Sequence, residues 1–366
     1  MRVHVVAPDG FADPARPSGG NIYDRRVCAG LAGLGWDVRV ATVAGAWPHG
    51  DRAARFGLER VITAIPDGAT VLIDGLVASA SAPVLLPHSA RLRLTVLLHM
   101  PLATALDGPA DTPAKLSERA VLGAADAVVV TSEWTRGQVL ARFSIPPDRV
   151  HVALPGVDRP DADRGDGVSA GVVVAPGAGH LLCVGTPARH KGQDVLVQAL
   201  AGLADADWDC VLAGPLDRDP GFVAELRARV ARLGLGRRVR LTGTLAGTAL
   251  DHAYAAADLL VVPSRADTYG MVIGEALVRG LPVVATETGG LPEALGRAPD
   301  GARPGRLVPP DDPRALGAAL GRWLRDPAHR RHLRAAARAR VPALPTWSET
   351  TRTVAAALTA SRRPRG

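Results

Sequence analysis

The chain reads as an α/β protein of two domains, each a parallel sheet wrapped by helices, and three observations predict this. Short apolar runs alternate with stretches long enough for amphipathic helices, the pattern of repeated βαβ units. Most of these runs drop into a polar or glycine residue, which is where open parallel sheets bind ligands. The 366 residues suffice for two hydrophobic cores, and the alternation runs twice, broken by a Gly-, Asp-, Ala- and Pro-rich stretch from Arg159 to Gly179.

In chain order, the apolar run at 3–7 predicts the first strand, and Gly35 stops a helix read over 22–34 before a second strand at 38–43. Strands follow at 70–73, ending at Asp74–Gly75, and at 92–98, ending at His99. A helix over 113–124 leads to a strand at 127–130, and the run at 150–153 enters the turn Pro155–Gly156. The second series starts with a strand at 180–184, a helix at 194–203 and a strand at 209–213. It continues with a helix at 222–233 and a strand at 239–241. A short helix at 249–256 precedes the stretch DLLVVPSRADTYGMVIGEALVRGLPVVATETGGLPE, Asp258 to Glu293. That stretch reads as a strand at 259–262, a polar loop, a helix at about 270–279, a strand at 283–285 and a loop ending in Gly289–Gly290. Helices at 313–325 and 328–339 follow, and a last helix at 348–360 is expected to cross back onto the first domain. The domains expected are thus 1–160 and 180–345, Rossmann-like, of similar size and facing each other across a cleft. A linker at 161–179 joins them, and 346–366 forms a C-terminal helix and basic tail.

Composition narrows the function classes. A 47% hydrophobic content fits a globular protein. The net charge of +7 is compatible with nucleic acid, membrane or phosphate ligands, but much of the excess sits in the C-terminal helices and the tail SRRPRG. Arginine is abundant while Lys115 and Lys191 are the only lysines, which fits a GC-rich genome better than a selected nucleic-acid surface. Cys28, Cys183 and Cys210 stand alone, without CxxC or Cys/His spacing; this argues against structural zinc and disulfides and agrees with a reducing compartment. The first residues, MRVHVVAPDG, lack the apolar core of a signal peptide, and no run of 18 apolar residues is present. Arg25 and Arg26 with Leu31, Leu34 and Trp36 make no clear basic amphipathic face, so membrane association is not supported. The expectation is a soluble, cytoplasmic protein.

The candidate site residues lie at strand ends. Gly19–Gly20, before a helix, would let a ligand approach the backbone and its free amides, or would simply form a turn. There is no GxGxxG, and the strand VRVATV ends without the acid that would hold a ribose, which counts against a nicotinamide or flavin enzyme. His99 can reach into a cleft as donor or general acid/base, or cap its strand. Arg189 and Lys191 share a polar strand-to-helix loop, where a guanidinium and an ammonium can hold phosphate oxygens or stay solvated. Tyr269, Gly270, Met271 and Val272 form the first turn of a helix whose unpaired amides suit a phosphate or a sugar hydroxyl. Asp267 before that turn and Glu275 on the next are strong acceptors for paired hydroxyls of a sugar or ribose.

Taken in order, these residues resemble glycosyltransferase family 4, retaining enzymes of GT-B fold, over nearly the whole chain. The resemblance rests on the Gly19–Gly20 loop, ADAVVVTSEWTR, LPGVD, the Arg189/Lys191 loop and PSRADTYGMVIGEALVRGLPVVAT followed by GGLPE. It implies that domain 180–345 binds a nucleotide-sugar and domain 1–160 the acceptor. It further implies that the Gly20 amide, Arg189 and Lys191 contact the diphosphate, with the Gly270–Val272 amides completing the cradle. Asp267 would contact donor-sugar hydroxyls, Glu275 the ribose and His99 the far side of the sugar. Two positions depart from the family's pattern. Asp267 stands where a glutamate is usual, and Thr186 follows Gly185 where an arginine is usual, leaving Arg189 as the nearby arginine.

The function implied is retaining transfer of a sugar from a nucleotide-diphosphate-sugar, UDP-sugar slightly favoured, to a small-molecule, glycan or lipid acceptor. No metal or other cofactor is expected. The alternatives are a GT-B nucleotide-sugar epimerase and a non-catalytic nucleotide-sugar-binding protein. A phosphorylase would want a pyridoxal lysine, and neither Lys115 nor Lys191 has a convincing setting for one.

Overall fold

Strands built from unbroken valine and leucine runs need cover on both faces, and the protein's strands of this kind are placed accordingly. The computed structural model describes residues 1–13, 18–102, 112–159 and 178–360. They divide into two compact units, Met1–Gly156 with Pro345–Gly366, and Val157–Leu344. All but the last two residues of the linker read at 161–179, and the basic tail beyond Ala360, lie outside the described residues.

The first unit holds β1 (Arg2–Pro8), β2 (Asp37–Val43), β3 (Thr70–Asp74), β4 (Arg93–Leu98), β5 (Ala127–Val130) and β6 (Val150–Val152). They form one parallel sheet in the order β2-β1-β3-β4-β5-β6. Strand order reverses direction between β1 and β3, and the carboxyl ends at such a switch point open a crevice. All five residues of β3 and all four of β5 are buried, as their apolar runs require.

Several helices escaped the sequence reading. Asp51 caps the helix Arg52–Thr63 by accepting from the Ala54 amide at 2.8 Å, and Leu58 and Ile62 bury one of its faces. Ser132 caps Glu133–Arg142 in the same way. The helix expected at 22–34 starts at Gly19, so Gly19 and Gly20 form its first turn and Ser18 accepts from the Asn21 amide.

The last helix, Trp347–Ala360, belongs to the first unit and lies along Gly19–Gly33. The crossing is close because Gly30 has no side chain: a Cβ there would sit 2.1 Å from the Thr351 hydroxyl. Val354 and Leu358 are fully buried among Tyr23, Val27 and Leu31. Burying side chains of that size contributes roughly 1.5–3 kcal/mol each.

The second unit holds β7 (His180–Val184), β8 (Asp209–Ala213), β9 (Val239–Gly243), β10 (Leu259–Val262), β11 (Val283–Thr286) and β12 (Gly305–Val308). They too form one parallel sheet, ordered β12-β11-β10-β7-β8-β9. Here the switch point lies between β7 and β10. Strand β12 was not expected, because GRLV offers too short an apolar run to stand out. Gly305 seats it, since a Cβ there would come within 1.9 Å of the Val283 carbonyl oxygen. Trp323, fully buried on the helix Pro313–Arg325, anchors the core and donates from its indole nitrogen to the Ala178 carbonyl at 2.7 Å.

Candidate functional site

In the second unit, the loops leaving β7 and β10 meet at the switch point. The β7 loop tightens into a turn over Arg189–Lys191 and closes at Gly192, whose φ of 68° lies in the left-handed region that glycine tolerates. From this turn Lys191 places its Nζ 2.6 Å from Asp267 Oδ2 in the β10 loop. Asp267 is only 8% exposed, and its desolvation by itself would raise its pKa. The Lys191 ammonium, the Tyr269 amide and nearby His190 outweigh that burial and hold the carboxyl below its ordinary range.

The Asp267 loop is wedged between backbones. A Cβ on Gly289 would lie 1.7 Å from the Asp267 carbonyl oxygen, one on Gly290 2.1 Å from that of Thr268, and one on Gly192 2.0 Å from that of Pro263. The Gly290 amide donates to the Asp267 carbonyl at 3.1 Å. The glycine pair after β11 thus lets the neighbouring loop press against the one that carries the acid. Arg265 ties the ends together: it donates to the Arg189 carbonyl at 2.7 Å, chelates Asp194 at 2.8 and 2.9 Å, and pairs with Asp311.

Arg189 is not brought to this cluster. Its guanidinium takes both Glu225 oxygens at 2.8 Å on the helix Pro220–Arg232, and its side chain is 70% exposed. Lys191 is the cation of this loop that pairs with Asp267.

Glu275 projects from the helix Met271–Leu277, which follows Gly270 with its left-handed φ of 80°. Gly270, Met271 and Val272 precede the helix's own amide bonding, and Tyr269 just before them is buried. Burial raises the Glu275 pKa, against a hydrogen bond from the Tyr254 hydroxyl and the charge of Arg279. A groove of about 760 Å³ between the helices Gln193–Ala201 and Pro313–Arg325 includes none of these residues.

The first unit carries its own polar centre at the β1/β3 switch. His99 follows β4 and sets Nε2 2.7 Å from Asp24 Oδ1 and 3.8 Å from Asp74 Oδ2. Asp24 comes from the helix Gly19–Gly33, and Asp74 ends β3 while accepting from the Leu76 amide at 2.7 Å. Gly20 lies against the imidazole: a Cβ there would stand 3.2 Å from His99 Cδ2. Both acids are nearly inaccessible, at 3% and 4%. Desolvation and the neighbouring Asp24 carboxylate push Asp74 up to about 7. Burial opposes charge on His99, but the two carboxylates prevail and its pKa is raised. Asp24, Asp74 and His99 each bring a ligand atom within 4.8 Å of the others, so this trio could hold a metal ion, or protons in its place.

Asp24, Asp74, Arg265 and His190 were missed in the sequence. Asp24 left one signal, a charged residue on the stripe marked by Tyr23, Val27 and Leu31.

Comparison with known proteins agrees with the fold. The family model for Glycosyltransferase Family 4 matches residues 17–159, and that for Glycosyl transferases group 1 matches 178–326. D-inositol 3-phosphate glycosyltransferase 1 of Catenulispora acidiphila is 36% identical over 245 residues, which cover 63% of this chain and 56% of the relative. The D-inositol 3-phosphate glycosyltransferase of Jonesia denitrificans is 31% identical over 258 residues, 67% of this chain and 59% of the relative. The match therefore spans little more than half the length of these relatives. Among solved structures, sucrose-phosphate synthase from Thermosynechococcus elongatus superposes with a TM-score of 0.78 at 24% identity, covering 97% of this chain and 98% of that one. Anabaena HepE in complex with UDP and glucose gives 0.75 at 19% identity, covering 98% and 99%. These likenesses establish the fold, two Rossmann-like units of GT-B type. With the two family models side by side over most of its length, the chain belongs to glycosyltransferase family 4.

Proposed function

We propose that the protein transfers a sugar from a nucleotide-diphosphate-sugar, with retention at the anomeric carbon and without a metal. The observation that carries this reading is the Lys191–Asp267 pair at the β7/β10 switch point. An ammonium has three donors; one is engaged by Asp267, which leaves two for the oxygens of a leaving diphosphate. A fixed cation of this kind stabilises charge as it develops in the transition state. Asp267, kept ionised by Lys191, is an acceptor for donor-sugar hydroxyls, and Glu275 is assigned to the ribose. The amides of Gly270, Met271 and Val272 are assigned to the donor as well. Arg189 has no assigned contact while it is held by Glu225. The acceptor is assigned to the first unit, where His99 can donate or accept a proton.

The curated relatives suggest the first acceptor to try, D-inositol 3-phosphate. The test is to incubate the protein with UDP-, GDP- and ADP-sugars and this acceptor, with and without excess EDTA, and to follow the product by NMR. A glycoside with the donor's anomeric configuration, formed equally in EDTA, is expected. An inverted product, or activity lost in EDTA and restored by Mg²⁺, overturns the corresponding part. Release of an epimerised donor without acceptor would replace transfer by epimerisation.

A further inference from the structure

Glu275 does not stand alone in the second unit. The helix Thr248–Ala256 presents Asp251 and Tyr254 three residues apart on one face, and Glu275 on the helix Met271–Leu277 and Arg279 in the turn after it face them. Tyr254, 2% exposed, donates its hydroxyl to Glu275 Oε2 at 2.6 Å. Arg279 lies over the Tyr254 ring, its guanidinium carbon 4.9 Å from the centroid. The same arginine donates to the Glu275 carbonyl at 2.8 Å and forms an ion pair with Asp251. Glu275 Oε1 has no partner among the described residues.

We propose that Tyr254, clamped by Arg279 and Asp251, is a positioning residue that occupies one oxygen of Glu275 and aims the other at the ribose hydroxyls of the nucleotide. The inference rests on the reading of Glu275 as the ribose contact. A carboxylate on a flexible side chain loses rotamer freedom when it binds; one already fixed by a phenol has less to lose. Burial and the adjacent carboxylate push the Tyr254 phenol well above its ordinary range, so it remains a donor throughout the working pH range.

The experiment compares a nucleoside diphosphate with its 2′,3′-dideoxy form by titration calorimetry, using whichever of UDP, GDP or ADP binds. A site built to hydrogen-bond a hydroxyl discriminates against the analogue that lacks it, so the wild type is expected to prefer the ribonucleotide. Glu275→Gln should remove most of that preference. Tyr254→Phe should weaken the ribonucleotide about fivefold, the effect of one lost hydrogen bond, and leave the dideoxy form unchanged. Arg279→Lys, which keeps the charge facing Asp251 but not the flat face over the ring, should lower the same ratio by less. It serves as the second variant if Tyr254→Phe does not fold. If Tyr254→Phe keeps the wild-type ratio, or weakens both ligands alike, the positioning role is wrong while the Glu275 assignment stands. If the wild type does not distinguish the two ligands, or Glu275→Gln still does, the ribose assignment itself falls and takes this inference with it.

Discussion

Asp74 and Asp267 occupy corresponding places in the two units, one at the end of β3 and the other in the loop after β10, each beside its sheet's switch point. Both are nearly buried, at 4% and 8% exposure, yet their acidities move in opposite directions. Asp74 rises to about 7 because burial acts together with a second carboxylate, Asp24, and the single imidazole of His99 does not offset both. Asp267 falls because Lys191 stands 2.6 Å away. Similar burial therefore leaves Asp74 with a raised pKa in one unit and Asp267 with a lowered one in the other. The sign is set by the neighbouring charge, not by the depth of burial.

The largest effect is expected from removing the neighbour that keeps Asp267 ionised. Lys191→Met should cost about 2–4 kcal/mol in kcat/KM with the correct donor, the usual loss of one preorganised electrostatic group. It should also lower stability at neutral pH by about 2 kcal/mol, less than for a fully buried pair because Lys191 is 28% exposed. Asp267 would then resemble Asp74, and the stability loss should shrink as the pH is lowered and the stranded acid takes up a proton. Unchanged kcat/KM, or a pH-independent stability loss, would show that the ammonium does not set the behaviour of Asp267.

The second effect comes from the other side of the comparison. The folded Asp74 pKa of about 7 lies above the ordinary 3.8, so the native state holds a proton that the unfolded chain has released. Its contribution is complete below about pH 4 and is lost as the pH rises through 7. Asp267 has the opposite sign: its contribution is present above the ordinary carboxylate pKa and is lost as the pH falls through its depressed folded value. Asp74→Asn should remove the first slope and leave the variant about 1–2 kcal/mol more stable than wild type at pH 8. Urea midpoints at pH 5 and pH 8 measure this, and a wild type and variant with parallel pH dependence would contradict it.

The smallest effect is expected at Arg189. Its pair with Glu225 is exposed on both sides, at 70% and 59%, and exposed pairs contribute a few tenths of a kcal/mol. Arg189→Ala should leave the melting temperature and the donor KM near wild type. A KM increase of tenfold or more would mean that Arg189 leaves Glu225 to bind phosphate when the donor arrives.

Much of the site was legible because its residues sit where strands end. Lys191, Asp267 and His99 lie in loops that follow apolar runs, and Glu275 lies on the helix after one; such loops leave a parallel sheet at its carboxyl edge. Their partners were not legible. Asp24 and Asp74 lie 75 and 25 residues before His99, and Tyr254 is 21 before Glu275. Only the packing of the helix Gly19–Gly33 beside β3 and β4, and of Thr248–Ala256 facing Glu275, brings them within hydrogen-bond distance. Arg189 shows the converse. Its place in the loop after β7 could be read, but the direction of its side chain depended on Glu225, 36 residues away on another helix.

The alternation of apolar runs with helical stretches determined by itself that the chain makes two parallel α/β units and which loops leave the carboxyl ends of their strands. That pattern is local: period and strand length decide which residues must be covered. The strand orders, the seating of Trp347–Ala360 in the first unit and the glycine-wedged Asp267 loop were decided by tertiary structure. So was the charge state of each buried acid. Desolvation and Coulomb interactions depend on distances through space, and no local reading of the chain contains the distance from Lys191 to Asp267 or from Asp24 to His99.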